Sequence, residues 1–421
     1  MILAPALTLS AGSGAAIVRP TFSRDFAGEK TLNNGTGPAI TFTRASNATF
    51  FNASGVLQTA ANDAPRFDHS GGSSLGLLIE EARTNLLLRS AEFNNASWTK
   101  ANATITANSA TSPDGGSNAD TLVEDSNSAA HAASQTVTYA ASTPYSFSVF
   151  AKQLNRSWIF LQLATTPFGA VTRAWFNLAN GTVGTQNNGT GTITSVGDGW
   201  YRCTLFATST VGGSGVSAMH ITTGDAVATH TGDNTSGIFI WGAQLEAGAF
   251  PTSYIPTTTA AATRSADNAV VTPISSFYNQ AEGTLFAEGT SNHLTNSLAA
   301  LVSIDDTTAN ERIQIRRGTQ SNLLNIVVAD GGSPQASIDT ATSSWASATE
   351  IKRIALALKA DDLAVSMNGA TALTDTSATL PTVTRMVIGF GPNSQYVSGH
   401  IRKLAYWPKR LTNTLLEQLT T

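Results

Sequence analysis

The sequence predicts an all-β protein in which two β-sandwich domains of jelly-roll type follow an N-terminal docking segment and precede a short C-terminal helix. Charged residues make up only 12% of the chain, and small residues such as Ala, Thr, Ser, Asn and Gly replace them, as in loop-rich β proteins. Short apolar runs alternate with turn residues across 91–262 and again across 263–421. A chain of 421 residues is also too long for one ordinary core, which favours several domains.

Residues 1–90 are predicted to form the N-terminal docking or attachment segment. Its phrases include F-S-R-D-F from Phe22, F-T-R-A-S-N from Phe42 and A-P-R-F-D-H from Ala64, with short hydrophobic runs separated by Gly and Asn. Such runs are too thin for an independent core, so we expect strands that lie on a neighbour. The first basic residue is Arg19, after the apolar start, which argues against a cleaved signal peptide.

The first predicted sandwich covers residues 91–262, where strand signals and turn residues recur at the spacing expected of a sandwich. Residues 145–150 alternate as a half-buried strand does, and Asp198-Gly199 predicts a turn before the strand that starts at Trp200. The run Ile238–Trp241 is apolar on both faces and predicts a closing strand, with Trp241 in the core. The glycines and prolines of residues 242–256 then predict a strap into the next domain.

The second predicted sandwich covers residues 263–421. Residues 256–263 are mostly Thr and Ala and form a small-residue linker at its start. A strand followed by the Asn368-Gly369 turn is typical of its β pattern. Residues 412–419 predict a terminal helix with Thr412 as N-cap, packed over Trp407.

Composition argues against several classes of partner. The formal charge of -4 and the absence of a Lys/Arg-rich run indicate no nucleic-acid binding. The longest apolar runs are far shorter than the ~20 residues of a spanning helix, so no membrane insertion is expected. Cys203 is the single cysteine, which excludes an intrachain disulfide framework and a cysteine metal cluster.

Several long phrases resemble the recurrent phrases of tailed-bacteriophage virion proteins, among them tail fibres, tail spikes, minor tail proteins and head fibres. They are G-L-L-I-E-E-A-R-T-N-L-L from Gly76, W-G-A-Q-L-E-A-G-A-F-P-T-S-Y-I-P-T from Trp241, T-R-S-A-D from Thr263 and I-R-K-L-A-Y-W-P-K-R-L from Ile401. In that group a carbohydrate-binding-module-like jelly roll is joined to a laminin-G-like, concanavalin A-like sandwich. The resemblance implies the same pair of domains in this chain.

The resemblance also implies a function. It indicates a structural virion component that is synthesised in the host cytoplasm, forms a homo-oligomer, with a trimer favoured, and contacts other virion proteins through the N-terminal segment. Such a protein would contribute to attachment to host-surface glycans. The alternatives are a capsid-bound head fibre or decoration protein without a specific receptor, and a glycan depolymerase.

Sugar recognition needs aromatic faces and planar polar side chains, and this requirement selects the candidate binding residues. Trp158 and Trp175 lie in alternating strands, where burial is the default. The remaining candidates are Trp98, Trp200 and Tyr201 in the first sandwich, and Trp345 and Tyr396 in the second.

No cofactor is required, but a structural calcium ion is common in sandwiches of this type. Glu92 opens the first sandwich and Glu246 closes it, so the two carboxylates are predicted to meet, and Asp114 is a further candidate ligand. None of these residues shows the dense acidic spacing of a calcium loop. Solvated turns are therefore the alternative interpretation.

The sequence predicts no catalytic activity. The acidic pairs Glu80–Glu81, Asp305–Asp306 and Asp361–Asp362 are adjacent, and neighbouring residues on a strand point to opposite faces. The six histidines lack metalloprotease spacing, and the chain has no nucleophile elbow or phosphate-binding glycine loop.

Overall fold

The computed structural model describes residues 19–293, 298–318, 323–344 and 347–421. The paired strands of all its sheets run antiparallel, and helices are few and short among these residues. The prediction of an all-β protein with two sandwiches and a short C-terminal helix is confirmed. Trp345 lies outside the described residues.

The strands and helices fall into three successive stretches of the chain. The first stretch contains β1 (Phe22–Asp25), α1 (Phe26–Glu29), β2 (Thr41–Thr43), β3 (Ala48–Phe51), β4 (Leu57–Ala60), β5 (Phe67–Ser70), β6 (Ser73–Ile79) and β7 (Arg83–Asn85). The second contains β8 (Thr99–Ala101), β9 (Ala103–Ala110), β10 (Ala119–Glu124), β11 (Ser128–Ala129), β12 (His131–Tyr139), β13 (Pro144–Gln153), β14 (Trp158–Leu163), α2 (Thr165–Phe168), β15 (Thr172–Asn177), β16 (Thr182–Asn187), β17 (Thr190–Gly197), β18 (Trp200–Thr208), β19 (Gly213–Thr222), β20 (His230–Thr231) and β21 (Gly237–Ala247). The third contains β22 (Ala262–Arg264), β23 (Asn268–Val271), β24 (Glu282–Gly289), β25 (Ala299–Asp305), β26 (Arg312–Arg317), β27 (Leu323–Asp330), β28 (Ser333–Ser344), β29 (Lys352–Lys359), β30 (Leu363–Met367), β31 (Leu373–Asp375), β32 (Arg385–Ile388), β33 (Gly399–Trp407) and α3 (Asn413–Thr420).

The first sandwich packs two six-stranded sheets face to face. Sheet I has the order β17-β18-β13-β21-β10-β9, and sheet II has the order β16-β15-β14-β19-β12-β8. Strand β13 alternates as predicted: Phe147 and Val149 enter the core between the sheets, and Phe150 lies on the opposite face of sheet I. The central strands are therefore apolar on both faces because both faces are covered.

The second sandwich packs sheet III against sheet IV. Sheet III has the order β31-β30-β29-β24-β33-β6-β5, with β1 also paired to β33, and sheet IV has the order β2-β23-β32-β25-β26-β27-β28. Its core contains apolar residues from the N-terminal segment, such as Phe22 and Leu77, beside Ile304 and Ile326. The N-terminal strands thus complete both sheets of the second sandwich.

The N-terminal segment also reaches the first sandwich. Hairpin β3–β4 packs on the outer face of sheet I, where Leu57 joins a cluster with Phe150, Trp200, Trp241 and Tyr254. Trp241 is buried as predicted, with 3% of its surface exposed, but it lies in this outer cluster rather than in the core between the sheets. The segment predicted at 1–90 therefore contacts both sandwiches within its described part.

Helix α3 forms the predicted C-terminal helix. The side chain of Thr412 caps it by accepting a hydrogen bond from the Leu415 backbone N–H at 3.4 Å. Leu416 and Leu419 pack with Trp407 on the outer face of sheet III, as the spacing of the leucines predicts. Among the described helices, none has the length and apolar character needed to cross a membrane.

Candidate functional site

Two of the tryptophans predicted to bind sugar are enclosed by protein. Trp98 is 1% exposed, packs at 4.8 Å from Phe93 and donates its indole N–H to the Arg89 carbonyl at 3.0 Å. Trp200 is also 1% exposed and donates to the Thr111 carbonyl at 3.1 Å. Neither ring presents a face to a ligand, because the core covers Trp98 and the outer cluster of sheet I covers Trp200.

The two predicted tyrosines are half-buried. Tyr201 packs against the core of the first sandwich and close to Gly181, where an added Cβ atom would lie 2.5 Å from its ring. Tyr396 stacks on Phe390 with ring centroids 5.2 Å apart, and burial raises its pKa. This pair keeps Tyr396 as a predicted sugar contact of the second sandwich.

The carboxylates predicted to bind calcium have separate partners. Glu92 is exposed and pairs with Arg89 at 3.0 Å. Glu246 is fully buried and accepts hydrogen bonds from the backbone N–H of Thr252 at 2.9 Å and from its hydroxyl at 2.5 Å. Asp114 accepts from the Gly116 N–H at 2.9 Å within its own turn. Across the described ranges no group of three or more His, Cys, Asp or Glu residues is arranged to hold a metal ion.

A buried ion network lies where the two sandwiches meet. The carboxylate of Asp267 receives Arg44 at 3.1 Å and Arg66 at 2.5 Å, and all three side chains are fully buried. Glu80, 2% exposed, pairs with Arg66 at 2.7 Å and lies 3.4 Å from Arg264. The network thus joins the N-terminal segment to residues 264–267, which directly follow the linker between the domains.

Glu80 is held ionised inside this network. Burial alone would raise its pKa, but the guanidinium groups of Arg264 and Arg66 and two hydrogen bonds from Ser253, each 2.7 Å, hold the pKa well below the usual range. Burying charges is costly unless partners satisfy them, and this network supplies such partners. Ser253 belongs to the strap, so the strap is fixed at the same point.

Three of the phrases that carry the phage resemblance contribute to the network. Glu80 belongs to the phrase from Gly76, Ser253 to the phrase from Trp241, and Arg264 and Asp267 to the phrase from Thr263. Arg44 and Arg66 come from other phrases of the N-terminal segment. The three phrases therefore have a structural role at the junction between the sandwiches.

The outer face of sheet II carries a row of stacked rings that the sequence alone does not reveal. Phe160 lies between Trp175, at 4.8 Å between ring centroids, and His220, at 4.1 Å with an interplanar angle of 5°. These residues are direct neighbours on strands β15, β14 and β19. Their neighbours in sequence, such as Ile159 and Met219, fill the core, so this row faces away from it.

Planar polar groups lie beside the ring row. Gln162 and Arg173 are paired across β14 and β15, and the Arg173 Nε donates to the Gln162 Oε1 at 2.7 Å. The Arg173 guanidinium lies over the Phe160 ring, 5.5 Å from its centroid. Phe160 and Trp175 are buried, at 1% and 3% exposed, whereas both polar side chains and Trp158, two positions before Phe160 on the same face, are half-buried and form its accessible part. We call Trp158, Phe160, Gln162, Arg173, Trp175 and His220 the ring face.

His220 is the unusual member of the ring face. It is 7% exposed, and neither ring nitrogen has a hydrogen-bond partner among the described residues. Burial, and after it the electrostatic effects of Arg173 and His131, lower its pKa to about 3. His220 is therefore neutral at ordinary pH, and Arg173 carries the positive charge of the ring face.

One end of the ring face is covered by the loop of residues 223–229. The Val227 carbonyl accepts from the Trp175 indole N–H at 3.2 Å and from the Thr222 hydroxyl at 2.6 Å. Asp225 accepts from the Thr185 backbone N–H at 2.7 Å, which fixes the loop to β16. The end with Gln162 and Arg173 is separate from these contacts.

A second candidate is a cleft of about 420 Å³ at the β12 edge of sheet II. It is open there because β8 pairs only with Ala132–Ser134. Its lining includes Leu86, Leu88 and Val137 but no aromatic or charged side chain among the described residues. Its chemistry suits sugar recognition less well than that of the ring face.

Burial is the expectation from sequence for Trp158 and Trp175; Trp175 is buried, at 3% exposed, and Trp158 is half-buried. The run W-I-F-L-Q-L from Trp158 carries large residues on both faces, which indicates a second covered or functional face besides the core. Phe160, Gln162, Arg173 and His220 had no motif of their own. Their proximity depends on the register of three strands.

No protein-family model matches the sequence. No curated protein matches it either. Among solved structures, the CBM40 of Ruminococcus gnavus IT-sialidase bound to α2,3-sialyllactose aligns at TM-score 0.29 and 13% identity, covering 34% of this chain and 84% of that chain. The LG1-3 region of the laminin α2 chain aligns at 0.26 and 11%, covering 66% and 65%. A Trypanosoma rangeli sialidase aligns at 0.29 and 12%, covering 72% and 60%.

These scores are too low to assign the chain to a family or to transfer a ligand. The resemblance to tailed-phage virion proteins stays a prediction. Function therefore has to be inferred from this chain's own residues.

Proposed function

We propose that this protein is a non-enzymatic, glycan-binding component of a tailed-phage virion. The observation that carries the glycan-binding part is the accessible part of the ring face, where the half-buried Trp158 shares one face of β14 with Gln162 of the Gln162–Arg173 pair, beside the buried stacked rings. Sugar sites combine apolar ring surface with a few oriented polar groups, and Trp158 supplies that ring surface here. Fold alone does not carry the function.

The virion part of the proposal is supported by the resemblance of the phrases from Gly76, Trp241, Thr263 and Ile401 to those of tailed-phage virion proteins. The first three contribute, with Arg44 and Arg66, to the buried ion pairs that fix two sandwiches to one N-terminal segment, which suits a rigid particle protein. In this proposal the N-terminal segment contacts other virion proteins, the chain forms a homo-oligomer, with a trimer favoured, and synthesis takes place in the host cytoplasm. Mass spectrometry of purified particles should detect the protein, and its absence from them would overturn this part.

The proposal that the protein is not an enzyme is supported by the structural roles of residues from the three acidic pairs. Glu80 lies in the ion network, Asp305 accepts from Arg385 at 2.6 Å, and Asp362 pairs with Arg410 at 2.8 Å. Such engaged carboxylates are poorly placed to act as an acid and base pair. Host polysaccharide incubated with the protein should release no reducing ends, and a steady release would contradict the proposal.

A binding assay tests the glycan part. Trp158→Ala and Gln162→Ala should each weaken retention on immobilised host-surface polysaccharide about tenfold, as the loss of one good polar or stacking contact does. Ser195→Ala, an exposed change on β17 of sheet I, is the matched control and should bind normally. Equal binding by all three variants would place the sugar elsewhere, with the Phe390–Tyr396 pair as the next surface to test.

A further inference from the structure

The charge of the ring face is not balanced within the protein. Among the side chains that the structure describes, Arg173 has no carboxylate within ion-pair distance, and its pKa is lowered by burial with no acid acting against that effect. Arg156 of the same sandwich, by contrast, pairs with Glu124 at 2.5 Å. Arg202 has no ion pair either, but Glu246 and Glu80 act against the effect of burial on its pKa, and its Nη1 donates to the Thr252 carbonyl at 2.7 Å.

Arg173 is nevertheless held in a fixed orientation. Its Nε donates to Gln162 and its Cζ lies over the Phe160 ring, so two contacts place the guanidinium, while its two terminal nitrogens have no protein partner among the described residues. A guanidinium fork that is oriented in this way matches the two oxygens of a carboxylate or a sulfate. Desolvating a cation is costly, and an anionic ligand offsets that cost when it binds.

We propose that Arg173 is the anion-binding residue of the ring face and that the ligand is an acidic saccharide bearing a carboxylate or a sulfate. This inference rests on the proposed glycan-binding function and adds the class of sugar. Long-range electrostatic attraction between the whole protein and a polyanion does not explain such binding, because the chain carries a formal net charge of -4. Recognition has to come from the local geometry at Arg173.

The experiment compares matched polysaccharides. Uronate-containing bacterial polysaccharides are tested beside the same polymers after chemical reduction of their carboxyl groups, and dextran sulfate is tested beside neutral dextran. The full chain should bind at least one acidic polymer and should bind its neutral counterpart about tenfold to a hundredfold more weakly, as expected for loss of a charge-assisted hydrogen bond. The carboxylate and sulfate arms show which anion the site prefers.

Variants locate the effect at Arg173. Arg173→Gln should remove the preference for the acidic polymer, and Arg173→Lys should keep only part of it, because an ammonium group lacks the bidentate fork. Arg89→Gln removes a charge at a distant surface pair and should keep full binding. Melting curves of the variants, measured in parallel, show that each protein is folded.

The outcomes separate the two proposals. Equal binding of acidic and neutral polymers, unchanged in Arg173→Gln, would overturn the acidic-sugar inference and leave glycan binding standing. No binding to any polymer would overturn both. A preference for acidic polymers that survives Arg173→Gln would overturn the role of Arg173.

Discussion

Replacing Asp267 by Asn should destabilise the protein strongly. The buried network holds three arginines against the carboxylates of Glu80 and Asp267, so its net charge is one positive, and the change makes it two. Asn also cannot accept at both oxygen positions. In the wild type both oxygens of Asp267 accept, one from Arg44 and the other from Arg66 and from the Glu80 backbone N–H at 2.8 Å. The N–H₂ group of Asn would therefore face a donor in either orientation.

Removing one partner of a buried ion pair costs about 3–5 kcal/mol. The assay is urea unfolding followed by tryptophan fluorescence, with the free energy of unfolding compared between variants. Glu92→Gln, which breaks an exposed pair, is the control and should cost about 0–1 kcal/mol. Combining Asp267→Asn with Arg44→Met should cost less than the sum of the single changes, because Arg44 is then no longer left unpaired. A loss for Asp267→Asn as small as that of Glu92→Gln would refute the view that this network holds the junction.

Substitutions of Glu80, Trp241 and Leu416 test three further contributions to the stability of the fold. The folded protein holds the pKa of Glu80 below its ordinary value of about 4.3, so Glu80 contributes stability that is present above that pH and is lost as pH falls below it. When the free energy of unfolding in urea is measured from about pH 6 to about pH 3, it should fall more steeply in the wild type than in Glu80→Gln. Parallel curves for the two proteins would contradict this prediction. Trp241→Ala should cost about 3–5 kcal/mol by emptying the cluster under hairpin β3–β4, whereas Leu154→Ala, at a position 43% exposed, should leave the melting curve unchanged. Leu416→Ala should lower the free energy of unfolding by about 2–5 kcal/mol and release α3 from sheet III. The release should appear as faster proteolysis near the C-terminus. Resistance to proteolysis equal to that of the wild type would show that the helix is held by other contacts.

Local patterns predicted much of the fold. The alternation around Phe147 and Val149 predicted a strand of the first sandwich, and Thr412 with the following leucines predicted the terminal helix. Both signals lie within one element. They depend on side-chain periodicity and capping, which the sequence displays directly.

The burial of Trp200, the ion network and the ring face could not be predicted, because each depends on contacts between different parts of the chain. Trp200 follows a turn and was predicted to bind sugar, but hairpin β3–β4 packs in the same cluster and helps to bury it. Arg66 and Asp267 are 201 positions apart, and no local pattern pairs them. Arg173 differs from other arginines of the first sandwich in lacking a nearby acid among the described residues, a property that becomes visible once its neighbours are placed.

The central claim is that a saccharide binds on the outer face of sheet II. Hydrogen–deuterium exchange of the full chain, with and without the polysaccharide that it retains best, tests this claim most directly. We expect slower exchange on binding in peptides from β14, β15 and β19, with little change in the second sandwich. Protection confined to the second sandwich, or none in these three strands, would contradict the claim.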